Sequence, residues 1–203
     1  MPTSDDELQP LVAASYLALG DLLAGMGAAA WETRSMCEGW RVREVVAHVT
    51  MPARYDEEAF MAELRECGFD FTTLSNRVAA RDAELPTEQL VANLRDEVMQ
   101  HWTPPGGGYH GALSHVVIHG LDVTAPLGVE RCSSDPAVRV VLDDLASGGA
   151  HSHFGTELGD RTLQATDLDW SYGSGPVVSA TAGDLVLHLT GRRVPTERLV
   201  TRR

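Results

Sequence analysis

The chain has 203 residues, 43% of them hydrophobic and 22% charged, enough apolar material for one ordinary domain or one domain with a small appendix. Its formal charge is −13 and all sixteen basic residues are arginine, so its field repels phosphate backbones and anionic lipid, and lysine chemistry is excluded. No apolar run approaches the roughly 20 residues a membrane-spanning helix needs, and the acidic start Met1–Glu7 lacks the pattern of a secretion signal. A cytoplasmic protein without nucleic-acid or membrane partners is therefore expected.

Taken in chain order, Leu8, Leu11, Val12, Ser15, Leu19, Leu22, Leu23 and Met26 follow helical spacing, with acidic residues in the first turn and Gly25 and Gly27 closing the segment. Ser35 to Trp40 reads as a loop leading into a second helix from Arg41, which carries Val42, Val45, Val46, His48 and Val49, and Pro52 kinks it or starts a new turn. Helical patterns then run from Tyr55 to Cys67, from Phe71 to about Glu84, and from Thr87 to Trp102 with Leu90, Leu94, Val98 and His101 on one stripe. Thr103 to Gly108 is a firm break. Another helix carries His115 and His119 and ends near Pro126-Leu127-Gly128, and Ser133-Ser134-Asp135-Pro136 opens one more, running to Gly148-Gly149. After His153 the texture changes. Thr162–Thr166, Leu168–Tyr172 and Val177–Ala180 read as strands, and Ala182–Leu189 as a short helix. Four or five helices followed by a small strand-containing tail is the expected architecture, divided as residues 1–155 and 156–203.

Chemistry concentrates on the segment Ser114 to Asp122. At 100° per residue, His115, His119 and Asp122 fall within roughly 60° of one another, so both imidazoles can reach one ion. The alternatives are two half-buried core histidines, or histidines paired with carboxylates. Val116, Val117 and Ile118 coat the other faces, and a polar stripe on a buried helix needs a partner because an unpartnered imidazole in a core is costly. Asp122 orients an imidazole through its far nitrogen, caps, or pairs with an arginine. A third imidazole is available from His48. Three neutral nitrogens with one position open is the arrangement of a catalytic metal site. No glutamate base follows His115, so the Glu-x-x-His pattern of metalloproteases is absent. Cys37, Cys67 and Cys132 form neither a disulfide framework nor a Cys-x-x-Cys motif; Cys37, bordering a turn, is either a reactive thiol or a small packed residue. Tyr109, His110 and His101 flank the glycine-rich break as pocket or surface residues, and His151 and His153 read as solvent-exposed.

The stretch Cys37-Glu38-Gly39-Trp40 followed by Arg41–His48 resembles the mycothiol-dependent maleylpyruvate isomerase family of DinB-like proteins, and so do His115-x-x-x-His119, Asp122 and Pro126-Leu127-Gly128. Looser likeness lies in Asp169-Trp170, Gly173-Ser174-Gly175, Val177 and Leu185–Arg192. The resemblance implies a mainly α protein, a DinB-like four-helix bundle with a small C-terminal α/β appendix. It implies His48, His115 and His119 as ligands of a divalent metal, zinc foremost, mycothiol as cosubstrate, and Arg192 as the catalytic or anion-binding arginine. Two positions depart from it: His115 stands where the isomerase proper resembles a glutamate pattern, and Glu38 replaces a proline. The expected function is thiol S-transfer to a small-molecule electrophile by a monomer or homodimer. Maleylpyruvate-type cis-trans isomerisation and a non-catalytic metal- or ligand-binding module are the alternatives.

Overall fold

A computed structural model describes residues 4–202. The first helix, α1 (Asp5–Ala24), starts where the Ser4 backbone N–H donates to Glu7 at 2.9 Å, a reciprocal cap reinforced by three acidic residues in the first turn. Its inward stripe is Leu8, Val12, Tyr16, Leu19 and Leu23, all essentially inaccessible to solvent. A short α2 (Ala28–Trp31) drops Trp31 into the core, and a loop leads to α3 (Val42–Val49), where Glu44 accepts from the Arg41 backbone N–H at 2.7 Å. Every α3 residue except Arg43 is buried, because neighbours cover the helix on all sides. Pro52 sits in a single 3-10 turn, Met51–Ala53, rather than inside a continuing helix.

Helix α4 (Glu57–Glu66) lies against α5 (Phe71–Asp82), which packs along α3, with a small separate apolar group of Met51, Leu74 and Val78. Asp82 ties α5 to the bundle by accepting from Arg54 Nε at 3.0 Å and from the Tyr55 hydroxyl at 2.7 Å. The expected single helix over 87–102 is instead two, α6 (Thr87–Leu94) and α7 (Glu97–His101). Asp96 causes the break: its side chain accepts from the Val98 N–H at 2.8 Å, capping a new helix and resetting the phase. Met99 takes the inward position, whereas Val98 is 49% exposed and His101 faces solvent. After the glycine-rich break comes α8 (Gly108–Leu127), stopped by Gly128 in the left-handed conformation (φ 67°). The bundle is α1, α3, the α6–α7 pair and α8, with α1 lying against α6, α7 and α8, and α3 against α6 and α8.

From α9 (Asp135–Asp144) the chain widens through a π turn at Leu145–Gly149 into α10 (Ala150–Phe154). Four strands follow: β1 (Thr162–Ala165), β2 (Ser171–Gly173), β3 (Val177–Ala180) and β4 (Val200–Arg202), in the order β2-β1-β3-β4. Only β1 and β3 pair in parallel. β2 begins later than the expected Leu168, because Trp170 turns inward and its indole N–H donates to Asp143 on α9 at 2.7 Å. At Gly173 any side chain would collide with the backbone carbonyl of Arg161, so that turn requires glycine. β4 has no counterpart among the expected strands. Between β3 and β4 the buried α11 (Ala182–Leu189) packs on α8 and α9, joining the sheet to the bundle. The protein is thus mainly helical with a small C-terminal sheet. None of its described helices is long and apolar enough to cross a membrane.

Candidate metal centre

Helices α3 and α8 face each other, and their facing turns carry the histidines. One ring nitrogen each from His48, His115 and His119 lies within 4.8 Å of the other two. The rings meet nearly edge to face, with centroids 5.3 Å apart for His48–His115, 5.1 Å for His48–His119 and 4.9 Å for His115–His119. The three imidazoles singled out in the sequence therefore come together.

Each ring's far nitrogen decides which lone pair is free. His119 Nδ1 donates to Asp122 Oδ2 at 2.9 Å, which leaves Nε2 unprotonated. His115 Nδ1 lies 3.3 Å from the hydroxyl of Tyr16 on α1, and donating there likewise frees Nε2. His48 Nδ1 is buried with no hydrogen-bond partner, while its Nε2 stands 3.3 Å from His115 Nε2. With nothing to fix the His48 tautomer, either its Nε2–H donates to His115 Nε2 or a cation between the two nitrogens takes that proton's place. Ligands about 2.0–2.1 Å from a tetrahedral cation stand about 3.3–3.4 Å apart, so the residues present fit a divalent ion.

The surroundings keep His48 and His115 neutral. Burial, then the neighbouring His119 charge, pushes His48 down to about 3 against the opposing pull of Asp122. Burial and the two other rings hold His115 well below the usual imidazole range. An unfolded histidine titrates near about 6.5, so below that pH the unfolded chain takes up protons that the folded one refuses. Stability of the ion-free protein is therefore full above about pH 6.5 and declines as pH falls toward the folded-state values. Urea unfolding in chelator should show a lower midpoint at pH 5 than at pH 7. That fall should be shallower in His48→Phe, and equal slopes in the two proteins would refute the assignment.

Asp122 is fully buried and links three parts of the chain. Besides His119, it accepts from Arg192 Nε at 3.0 Å (Oδ1) and Nη2 at 2.8 Å (Oδ2), and from the Cys37 thiol at 3.1 Å (Oδ2). Orienting an imidazole and pairing with an arginine, alternatives in the sequence, thus coexist at one carboxylate. Burial alone would raise its pKa, but donation from His119 and Arg192 and the Arg192 charge prevail and hold it well below the usual carboxylate range. Arg192 is further engaged through Nη1 with the Thr190 carbonyl at 3.0 Å, and its guanidinium lies 5.8 Å from the Phe154 ring. Cys37 is held as a thiol: burial first, then the Asp122 charge and hydrogen bond, push it up to about 12. A cavity of about 470 Å³ between the loop at Cys37 and the turn at Gly191 borders this group.

Aromatic rings surround the cluster, with Trp40 5.1 Å and Phe71 6.4 Å from the His48 ring and Trp102 5.4 Å from the His115 ring. Tyr109 is half-buried against the core, while His101, His110, His151 and His153 are exposed and none joins the histidine cluster. Sequence reasoning missed Tyr16, which belongs to the α1 core stripe by spacing; only the packing of α1 on α8 gives its hydroxyl a partner.

Residues 12–102 match a family model described as the mycothiol maleylpyruvate isomerase N-terminal domain. Among curated proteins no sequence relative matches the chain. Among solved structures it is similar to the crystal structure of the mycothiol-dependent maleylpyruvate isomerase, at TM-score 0.61 and 16% identity over 98% of this chain and 93% of that one. A histidine-to-alanine mutant of that isomerase is similar at TM-score 0.60, with the same identity and coverage. At this identity the likeness is one of fold.

Proposed function

From the match of residues 12–102 to the family model of the mycothiol maleylpyruvate isomerase N-terminal domain, we propose that the protein is an enzyme of that family using a low-molecular-weight thiol, mycothiol foremost, against an electrophilic small molecule. His48, His115 and His119 are assigned as ligands of a divalent cation, zinc by preference. Asp122 is the acceptor that orients His119. The observation carrying this reading is the convergence of three imidazole nitrogens within 4.8 Å of one another, two of them on rings whose far nitrogens have hydrogen-bond partners.

A divalent cation held there supplies Lewis acidity, lowering the pKa of a thiol from its usual value of about 8.5. The chain's own residues do the rest. Burial keeps His48 and His115 neutral and able to donate lone pairs. Trp40, Phe71 and Trp102 lie against the rings. Arg192, expected as the catalytic arginine, is assigned to hold Asp122 while lining the adjoining cavity. In the transfer reaction the thiol gives up its proton, a carbon–sulfur bond forms, and the leaving group departs with its bonding electrons.

His48, His115 and His119 would bring no negative charge to a cation they held, which would suit a thiolate in transfer and in isomerisation alike; transfer is the first reading. Isomerisation is the second reading, favoured by the family match itself: sulfur adds to a conjugated cis alkene, the bond rotates, and sulfur leaves with the electrons of the carbon–sulfur bond. The boundary after residue 155 and a cytoplasmic setting belong to the same proposal.

The test is incubation of zinc-loaded protein with mycothiol, a panel of electrophiles and a maleylpyruvate-type cis alkene, followed by mass spectrometry and chromatography. A stable adduct is the expected product. Recovered thiol with an isomerised alkene would replace transfer by isomerisation. Bound zinc with neither product would leave a binding module.

A further inference from the structure

Cys37 enters none of the steps above, yet its sulfur is placed with care. It lies 3.1 Å from Asp122 Oδ2 and 3.8 Å from His119 Nδ1, and Asp122, being ionised, can only accept. The loop is fixed there independently of the sulfur. The Met36 backbone N–H donates to the Asp122 carbonyl at 3.0 Å, the Cys37 N–H to Ser35 Oγ at 3.1 Å, and the Ser35 hydroxyl to the Trp40 carbonyl at 2.9 Å. On its open side the sulfur borders the 470 Å³ cavity, beyond which lie Thr190, Gly191 and Arg193.

We infer that Cys37 is a positioning residue. Its S–H donates to Asp122 Oδ2, helps hold that carboxylate toward His119, and seals the Asp122–His119 hydrogen bond from water in the cavity. The inference rests on His119 being a ligand as proposed above, and it assigns the thiol a role that needs it protonated. The role asks for a small side chain carrying one donor, which serine also supplies.

Two measurements test it. In ion-free protein, the His119 Nδ1–H proton should appear far downfield in the proton NMR spectrum, protected from exchange, in the wild type and in Cys37→Ser. In Cys37→Ala it should be lost to exchange with cavity water. Its persistence in Cys37→Ala, or its absence from the wild type, overturns the inference. This readout needs no metal, so it stands apart from any failure of the proposed function. In zinc-loaded protein, chelator competition should give an affinity about 10-fold weaker for Cys37→Ala, the usual scale for an outer-shell partner, and near wild type for Cys37→Ser. Cys132→Ala, which removes a similar sulfur beside Gly120, should leave affinity unchanged. Equal weakening in the serine and alanine variants, or in the Cys132 control, would mean that packing alone is at work.

Discussion

Zinc retained after dialysis should fall from about one ion per chain to background in each of His48→Ala, His115→Ala and His119→Ala, and the proposed thiol-transfer activity should fall with it. The magnitude follows from the ligand set. A structural zinc site of four protein ligands binds with about 10–16 kcal/mol, so each ligand carries about 3 kcal/mol, more than a hundredfold in affinity. The two imidazoles left in each variant cannot make that up. The fold should survive each substitution. His48 sits among Trp40, Phe71 and the other two rings rather than anchoring an ion pair, and removing His119 leaves Asp122 with both Cys37 and Arg192. The wild type should therefore be stabilised by added zinc, by about 2.7 kcal/mol at a hundred times Kd, and the three variants should not. Elemental analysis of the purified proteins and thermal unfolding with and without zinc decide the matter. Zinc held undiminished by all three variants would remove these residues from the site.

Much of this architecture is legible in the chain because local chemistry and tertiary need agree. Ala182–Leu189 and Val177–Ala180 have the bounds expected of them, since the Thr181 side chain accepts from the Asp184 N–H and caps the helix where the strand ends. The His115–His119 pair is legible because one helix turn fixes its geometry before any packing occurs. His48 is of another kind: its spacing on α3 says only that it is buried, and its partnership with α8 is a property of helix packing. The stripe Leu90, Leu94, Val98 and His101 failed for a local reason. Asp96 offered its carboxylate to the Val98 N–H, and that cap outweighed the apolar periodicity. β4 is only Val200–Arg202, too short for alternation to register, and it exists because the β3 edge is there to pair with. Tyr16 carried no signal as a site residue, and Cys37 stood out only as a reactive thiol or a small packed residue beside a turn. Each acquires its role from a partner 99 or 85 positions away.

Asp122→Ala should be the most damaging single substitution, and it separates stability from ion binding. The carboxylate is wholly inaccessible and Arg192 nearly so, with 14% of its side chain exposed, so alanine strands a guanidinium in a site built for a pair. Breaking a buried pair from one side costs about 3–5 kcal/mol, which for a chain of this size lowers Tm on the order of 10 °C. The same change frees His119 to adopt either tautomer and weakens ion affinity by about 10- to 100-fold. The double variant Asp122→Ala/Arg192→Met tells the two effects apart. With the stranded charge replaced by an apolar side chain of similar length, most of the lost Tm should return, because the cost lay in the orphan and not in the missing attraction. Zinc affinity should not return, since His119 still lacks its acceptor. Calorimetry and chelator competition on the wild type, the single and the double variant read both quantities. If affinity recovered together with Tm, Asp122 would be only a structural counter-ion to Arg192. If neither recovered, the Arg192 guanidinium would have to hold the loop and the α11 turn together by itself.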